Sequence, residues 1–367
     1  MKFTVNKKEI TDAVLNIQRA VSSKTSIPVL EGILIKTGDL SIEMSAYDLE
    51  LGIQTVIPAA GIQEGTAVLS AKLFSEIVRK SPADIVTVEV DEKHMATIES
   101  GCSNFSIVGF LPEEFPELPR LEDATVFQIP SQTLKSMIRQ TNFAIAESDA
   151  KPIHQGGLFN LHGGQLDMVA VDGYRLAIRT EPIDFKEELS FVVPGKTLRE
   201  VNALLKEDDE LIEVAAGKRH ILFKIGDYTV ISSLLEGEFL NYQATIPAES
   251  PIEVIVNTRK VMESVERVSL LITDRLKSPL RCTFEENSIK LLCTTAMGRA
   301  SDQIEAEIRG GDVEIGFNSR YLLDALKNTE CDEIKIQLSS PLSPMKIVPK
   351  EGNSFLFLVL PVKLKAN

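Results

Sequence analysis

The chain has 367 residues, a hydrophobic fraction of 44%, a charged fraction of 25% and a net charge of −14. This is a globular composition with material for two or three cores, and it contains no apolar run of the ~18 to 20 residues that a membrane helix requires. An acidic surface repels phosphate, so the charge argues against a nucleic-acid partner unless the basic residues are segregated.

Along the chain, the segment Met1 to Lys8 lacks the apolar stretch of a signal peptide, and a cytoplasmic protein is expected. Helices are predicted to start at Asn6, Ser70, Pro130, Pro194, Asn257 and Asn318, roughly 60 residues apart. Each opens on a residue suited to a cap or to a first helical position. Apolar residues follow at helical spacing: Ile10, Val14, Ile17; Phe74, Ile77, Val78; Leu134, Met137, Ile138; Leu198, Val201, Leu205; Val261, Val265, Val268; Leu322, Ala325, Leu326. Between the helices, short strands such as Gly32 to Lys36, Leu40 to Met44, Asp84 to Val90, Phe105 to Val108, Gly157 to Leu161, Leu166 to Ala170 and Ser288 to Leu292 are joined by hairpin turns such as Thr37-Gly38-Asp39. One helix plus antiparallel strands makes half a layer pair, and two halves sharing a core make an α+β domain.

The halves are themselves part of a longer repeat. Asp48 in Tyr47-Asp48-Leu49-Glu50-Leu51 and Asp172 in Val171-Asp172-Gly173-Tyr174-Arg175-Leu176 stand about 124 residues apart, and one more step reaches Ala296-Met297-Gly298. Three domains are expected, at 1–122, 123–249 and 250–367, with Pro119 and Pro247 punctuating the joints. Two positions after each helix start stand Lys8, Lys72, Gln132, Lys196, Arg259 and Arg320. At ~100° per residue, that position lies about 200° from the apolar one two residues later, so it points away from the core. Arg79, Arg139 and Lys327 return to nearly the same face two turns on, and Lys135 and Arg199 flank it. Cations near a helix N-terminus oppose the macrodipole, so something offsets that cost.

No catalytic or metal site stands out. Cys102, Cys282, Cys293 and Cys331 form no C-x-x-C pair, and His94, His154, His162 and His220 lack zinc-ligand spacing. No phosphate-cradling glycine loop or Ser-His-Asp grouping is visible. Asp172-Gly173 invites a catalytic reading, but its repeat partner is Ala296. A non-enzyme is expected, with no cofactor and no metal. A repeat-built peptide-binding scaffold without a DNA role is the alternative, and the basic helix faces discriminate against it.

The triplication, the segment Ile27-Pro28-Val29-Leu30, the motif Asp172-Gly173-Tyr174-Arg175-Leu176-Ala177 and the C-terminal Leu360-Pro361-Val362 resemble the bacterial sliding clamp family, the beta subunit of DNA polymerase III, from end to end. The resemblance implies three tandem domains of the DNA-clamp fold forming half of a closed ring. Two chains close it head to tail, with twelve helices lining a hole and the acidic residues outside. Twelve helices at ~9 Å spacing give a circle of ~108 Å, about 34 Å between axes. Removing a helix diameter of ~10 to 12 Å leaves over 20 Å, enough for a duplex. The resemblance implies DNA-facing roles for Lys24, Lys72, Arg79, Lys80, Lys135, Lys151, Lys196 and Arg199, with phosphate contacts that carry no base readout.

It also implies a hydrophobic pocket for peptides of Gln, Leu and Phe type. These would come from the replicative polymerase, the clamp loader, other DNA polymerases and repair proteins. Val171, Gly173, Tyr174, Arg175 and Leu176 form one wall, and Leu358, Leu360, Pro361 and Val362 the other, with Pro344 and Met345 nearby. Phe105, Leu270 and Leu271 are assigned to the homodimer seam. Three departures touch the pocket rim. Leu240 follows Phe239 where the family usually has proline, Gln243 and Ala244 replace a basic pair, and His154 stands at an aliphatic position. They imply altered partner affinities. No membrane partner is implied.

Overall fold

The computed structural model describes residues 1–22, 25–148, 151–273 and 278–364. The six helices begin where the caps place them: α1 is Lys7–Ile17, α2 Ala71–Lys80, α3 Ser131–Asn142, α4 Gly195–Leu204, α5 Thr258–Val268 and α6 Ser319–Lys327. The side chains of Asn6, Asn257 and Asn318 accept from the N–H groups of Lys8, Lys260 and Arg320 at 2.9 to 3.0 Å, which satisfies donors that the helix itself leaves open. The odd-numbered helices share a second anchor. The N–H groups of Lys7, Ser131 and Thr258 donate to the carbonyls of Asp84, Glu210 and Asp332 at 2.7, 2.8 and 2.9 Å. All six predicted apolar stripes are buried, with Ile10, Phe74, Leu134, Leu198, Val265 and Ala325 fully so. Burying each large apolar side chain contributes about 1.5–3 kcal/mol, so these stripes hold the helices more firmly than intrinsic propensity does.

The chain divides into two compact units, Met1–Gln132 with Glu200–Leu234, and Thr133–Arg199 with Leu235–Asn367. In the first unit a five-stranded antiparallel sheet runs in the order Ala60–Gln63, Lys2–Asn6, Ile85–Val90, Met95–Ser100, Ser103–Val108. An eight-stranded sheet runs Thr125–Pro130, Leu211–Ala216, His220–Ile225, Tyr228–Ser233, Leu51–Pro58, Ser41–Tyr47, Gly32–Thr37, Thr66–Ser70. Helices α1 and α2 pack on each other, and α1 also covers Ser41–Tyr47 and Leu51–Pro58. The two sheet halves meet where Tyr228–Ser233 pairs antiparallel with Leu51–Pro58, Val230 opposite Ile53. One continuous ladder therefore joins strands from different repeats.

The second unit is built the same way. Its nine-stranded sheet runs Leu189–Pro194, Gly156–His162, Gln165–Val171, Arg175–Pro182, Phe355–Val359, Met345–Pro349, Glu333–Leu338, Ile252–Asn257, Glu307–Arg309. The joint is the pairing of Arg175–Pro182 with Phe355–Val359, Leu176 opposite Leu358. A five-stranded sheet runs Gly298–Glu305, Ser288–Thr295, Leu280–Glu285, Val313–Phe317, Pro361–Val362. Helix α5 packs on α6 and on the strands Ser288–Thr295 and Gly298–Glu305. The chain leaves the large sheet at Val359 and enters the small one at Pro361, so Leu360 sits at the crossing.

Candidate DNA interface and peptide pocket

The cations expected on the helix faces point outward. Lys8, Lys72, Arg79, Lys80, Arg199, Arg259 and Arg320 are exposed, Lys135 and Lys196 are half-buried, and Lys151 is exposed ahead of the 3-10 turn Pro152–Gln155. Lys24 lies outside the described residues. The faces are less purely cationic than the sequence spacing suggests. Arg79 and Lys80 share Glu76, Arg259 pairs with Glu263 at 2.7 Å, Lys327 reaches Glu266 at 3.0 Å, and Arg139 Nε donates to Glu330 at 2.7 Å. Two hydrogen-bonded cations hold the Glu76 carboxyl below its ordinary range. Exposed pairs of this kind are screened by solvent and contribute little to stability.

Several of the predicted pocket residues lie around one hairpin of the second unit. Asp172 closes the turn between Gln165–Val171 and Arg175–Pro182: its Oδ1 accepts from the N–H groups of Tyr174 and Arg175, both at 3.0 Å. Gly173 takes the left-handed backbone the turn needs, with φ +84. Asp172 is thus occupied as a turn former. Alternation along the strands sends Val171, Leu176, Ile178, Val169 and Leu158 to one face of the sheet, with Leu358 beside Leu176. These side chains are buried together under Ile153 and Tyr242, and Phe239, Leu240, Leu235 and Ile246 pack on them half-buried. His154 lies on this flank, its ring edge-on to Phe239 at 5.7 Å.

Some predicted members stand elsewhere. Arg175 leaves the opposite face of the sheet from Leu176. It is held by Asp172 at 2.9 Å and by Asp324, with its guanidinium 4.7 Å from the Tyr321 ring centroid and 5.5 Å from that of Phe143. It is a strut between the turn and α6, since a buried cation needs such partners, and it does not line the apolar cluster. Met345 is 1% exposed, opposite Val359, on that same far face. Pro361 and Val362 pair with Phe317 and Gly316 in the small sheet. Pro344, half-buried, precedes the Met345 strand. Leu360 and Tyr174 remain at the surface, joined by a bond from the Leu360 N–H to the Tyr174 carbonyl at 2.9 Å. Tyr174 stacks on Tyr321 at 5.5 Å, and Tyr321 and Val362 line a separate cleft of about 660 Å³.

Three residues of this region were not assigned to it from sequence. Lys346 is opposite Leu358 on the cluster face, where burial lowers its pKa and its ammonium donates to the Pro247 carbonyl at 3.3 Å. Tyr242 and Asp167 are the others. Tyr242 follows Leu118 by the repeat step of about 124 residues, and that register could have found it.

The residues expected at the seam lie on or beside edge strands. Phe105 is 38% exposed on Ser103–Val108, the outermost strand of its sheet. Leu270 is 80% exposed, and Leu271 lies beside Gly298 at the start of Gly298–Glu305, the outermost strand of the small sheet. Among the described residues no group of three His, Cys, Asp or Glu side chains could hold a metal ion, and no helix is long and apolar enough to cross a membrane.

Helix-plus-sheet halves repeated in tandem, outward cations on the helices and an apolar cluster on one hairpin define the class: a three-domain clamp subunit of mixed helix and antiparallel sheet. Family models for the N-terminal, central and C-terminal domains of the DNA polymerase III beta subunit match residues 1–119, 128–241 and 243–363. The chain belongs to that family, the beta sliding clamps. It is 33% identical to the beta sliding clamp of Bacillus subtilis (strain 168) over 376 residues, covering 99% of this chain and 100% of the relative. The beta sliding clamp of Halalkalibacterium halodurans is 32% identical over 378 residues, with 99% and 100% covered. Among solved structures, the DNA polymerase sliding clamp from Bacillus subtilis superimposes with a TM-score of 0.96 at 32% identity over 100% of both chains. A putative DNA polymerase III beta subunit from Eubacterium rectale gives 0.94 at 32% identity over 99% of both.

Proposed function

We propose that this chain is a DNA sliding clamp: a ring of two copies that encloses duplex DNA without sequence specificity and tethers the replicative polymerase to it. Membership in the beta sliding clamp family carries the reading. The outward cations on six helices support it, because contacts to phosphates position a protein on DNA without reading bases. Lys72, Arg79, Lys80, Lys135, Lys151, Lys196 and Arg199, together with Lys24, are the DNA-facing set. The three domains are 1–122, 123–249 and 250–367. The protein acts in the cytoplasm as a processivity factor with no catalytic site of its own.

The cluster around Val171, Leu176, Leu240 and Leu358 accepts short peptides from the polymerase, the clamp loader, other DNA polymerases and repair proteins. Buried apolar floors flanked by exposed Tyr174 and Leu360 suit small hydrophobic side chains. Ring closure has a physical basis in two open sheet edges. Ser103–Val108 pairs on one side with Met95–Ser100, and Gly298–Glu305 on one side with Ser288–Thr295. Unpaired edges template pairing with another chain, so one protomer's first edge adds to its partner's second, with Phe105 against Leu270 and Leu271.

Sedimentation tests the closure. The wild-type chain of 40.4 kDa is expected at twice that mass, and Leu270→Asp with Leu271→Asp at the monomer mass. A monomeric wild type, or an intact dimer in the double variant, contradicts the assignment.

A further inference from the structure

The apolar face beneath the pocket ends on a polar row. Asn160, Asp167 and Thr180 are direct cross-strand neighbours in the nine-stranded sheet, on the same face as Val169 and Val171. Asp167 is 7% exposed and fully engaged. Its Oδ1 accepts from Thr180 Oγ1 at 2.6 Å, and its Oδ2 accepts from the Tyr242 hydroxyl at 2.9 Å. His162 Nε2 lies 3.0 Å from the same Oδ2, and Asn160 Nδ2 donates to the Tyr242 oxygen at 3.2 Å. Tyr242 therefore spans the cluster, its ring buried among the apolar side chains and its hydroxyl bolted to the row behind them.

The first repeat shows what the network replaces. There the corresponding row is Lys36, Glu43 and Val56, paired in the same register, and the residue one repeat before Tyr242 is Leu118. Leu118 instead fills the space over Gly52, where an added Cβ would meet its Cδ2 at 2.6 Å. Gly52 corresponds to Leu176. Where the sheet presents glycine, leucine packs down on it. Where it presents Leu176, a longer residue reaches past it to a buried carboxylate.

Tyr242 ends the segment that carries Phe239 and Leu240 and begins the turn Gln243–Thr245, with Thr245 Oγ1 donating to its carbonyl at 2.7 Å. We propose that Asp167 is a positioning residue of the peptide pocket: it anchors Tyr242, and through it fixes the Phe239–Tyr242 rim over the apolar floor, so that the peptide's hydrophobic side chains meet a preformed wall. This rests on the reading of the cluster as a peptide site. Preformed walls raise affinity by lowering the ordering cost of binding, and a buried carboxylate robbed of one donor leaves the rim loose.

The test measures anisotropy of a fluorescein-labelled peptide, Gln-Leu-Ala-Leu-Phe, with wild type, Tyr242→Phe, Asp167→Ala, their combination, and Asp167→Asn, folding being checked by thermal transitions. Tyr242→Phe and Asp167→Ala are each expected to weaken binding about tenfold, the combination no more than Asp167→Ala alone. Asp167→Asn keeps an acceptor for Tyr242 and an amide for Thr180, and stays within about threefold of wild type. A spectroscopic signature accompanies this. Burial and then the Asp167 charge push the Tyr242 hydroxyl up to about 12, so Asp167→Asn, without that charge, shows a tyrosine ionising at lower pH while binding persists. Wild-type affinity in both single variants, multiplying effects, or an Asp167→Asn as weak as Asp167→Ala overturns the positioning role. A wild type that does not bind the peptide overturns the pocket itself.

Discussion

A single backbone angle links the first and second repeats at the residue scale. Leu49 has φ +77 where Gly173 has +84, in turns closed alike by Asp48 and Asp172. In the third copy Thr295 Oγ1 takes the aspartate's part, accepting from the Met297 N–H at 3.1 Å. A left-handed leucine costs about 1–2 kcal/mol relative to glycine, less what glycine loses in unfolded-chain entropy. Leu49 is 47% exposed, so glycine forfeits only part of a leucine's burial. Leu49→Gly is therefore expected to stabilise the first unit by about 1 kcal/mol, read as a higher urea midpoint at unchanged slope; a lower midpoint contradicts the strain. The turn was legible in the sequence as a repeated aspartate. The direction of Arg175 was not, because the motif was read as one wall while strand alternation sends neighbours to opposite faces.

The helices are the elements whose sequence signal and structure agree most closely, for a local reason: caps and a 3.6-residue stripe are short-range properties. Their outward cations were equally legible. Their acidic partners were legible only within a helix, as for Arg259 and Glu263, since Arg139 and Glu330 are joined by folding alone. Because these residues are exposed, reversing them disturbs no core. Lys72→Glu with Arg79→Glu is expected to leave the unfolding transition within about 0.5 kcal/mol of wild type and to cut loading on DNA, with a shallower salt dependence. Unchanged loading in a folded variant counts against the DNA-facing role of α2.

At the scale of the whole molecule, the repeats share sheets. The repeat period shows three copies, yet the ladders Tyr228–Ser233 with Leu51–Pro58 and Arg175–Pro182 with Phe355–Val359 carry sheets across the joints. Such pairing joins residues more than a hundred positions apart and leaves no local mark in the sequence. The polar row beneath Tyr242 was hidden for the same reason, since Asp167 looks like an ordinary strand residue until Tyr242 folds over it. On the proposed reading, joining the edge strands Ser103–Val108 and Gly298–Glu305 of two copies makes an acidic chain into an enclosure for an anionic polymer.

Retention on DNA of two topologies tests that enclosure most directly. Protein loaded on a nicked circular plasmid and purified in high salt is expected to stay bound until a restriction enzyme linearises the circle, and then to leave by the ends. Equal retention on circle and line would show that the chain adsorbs to DNA and does not surround it.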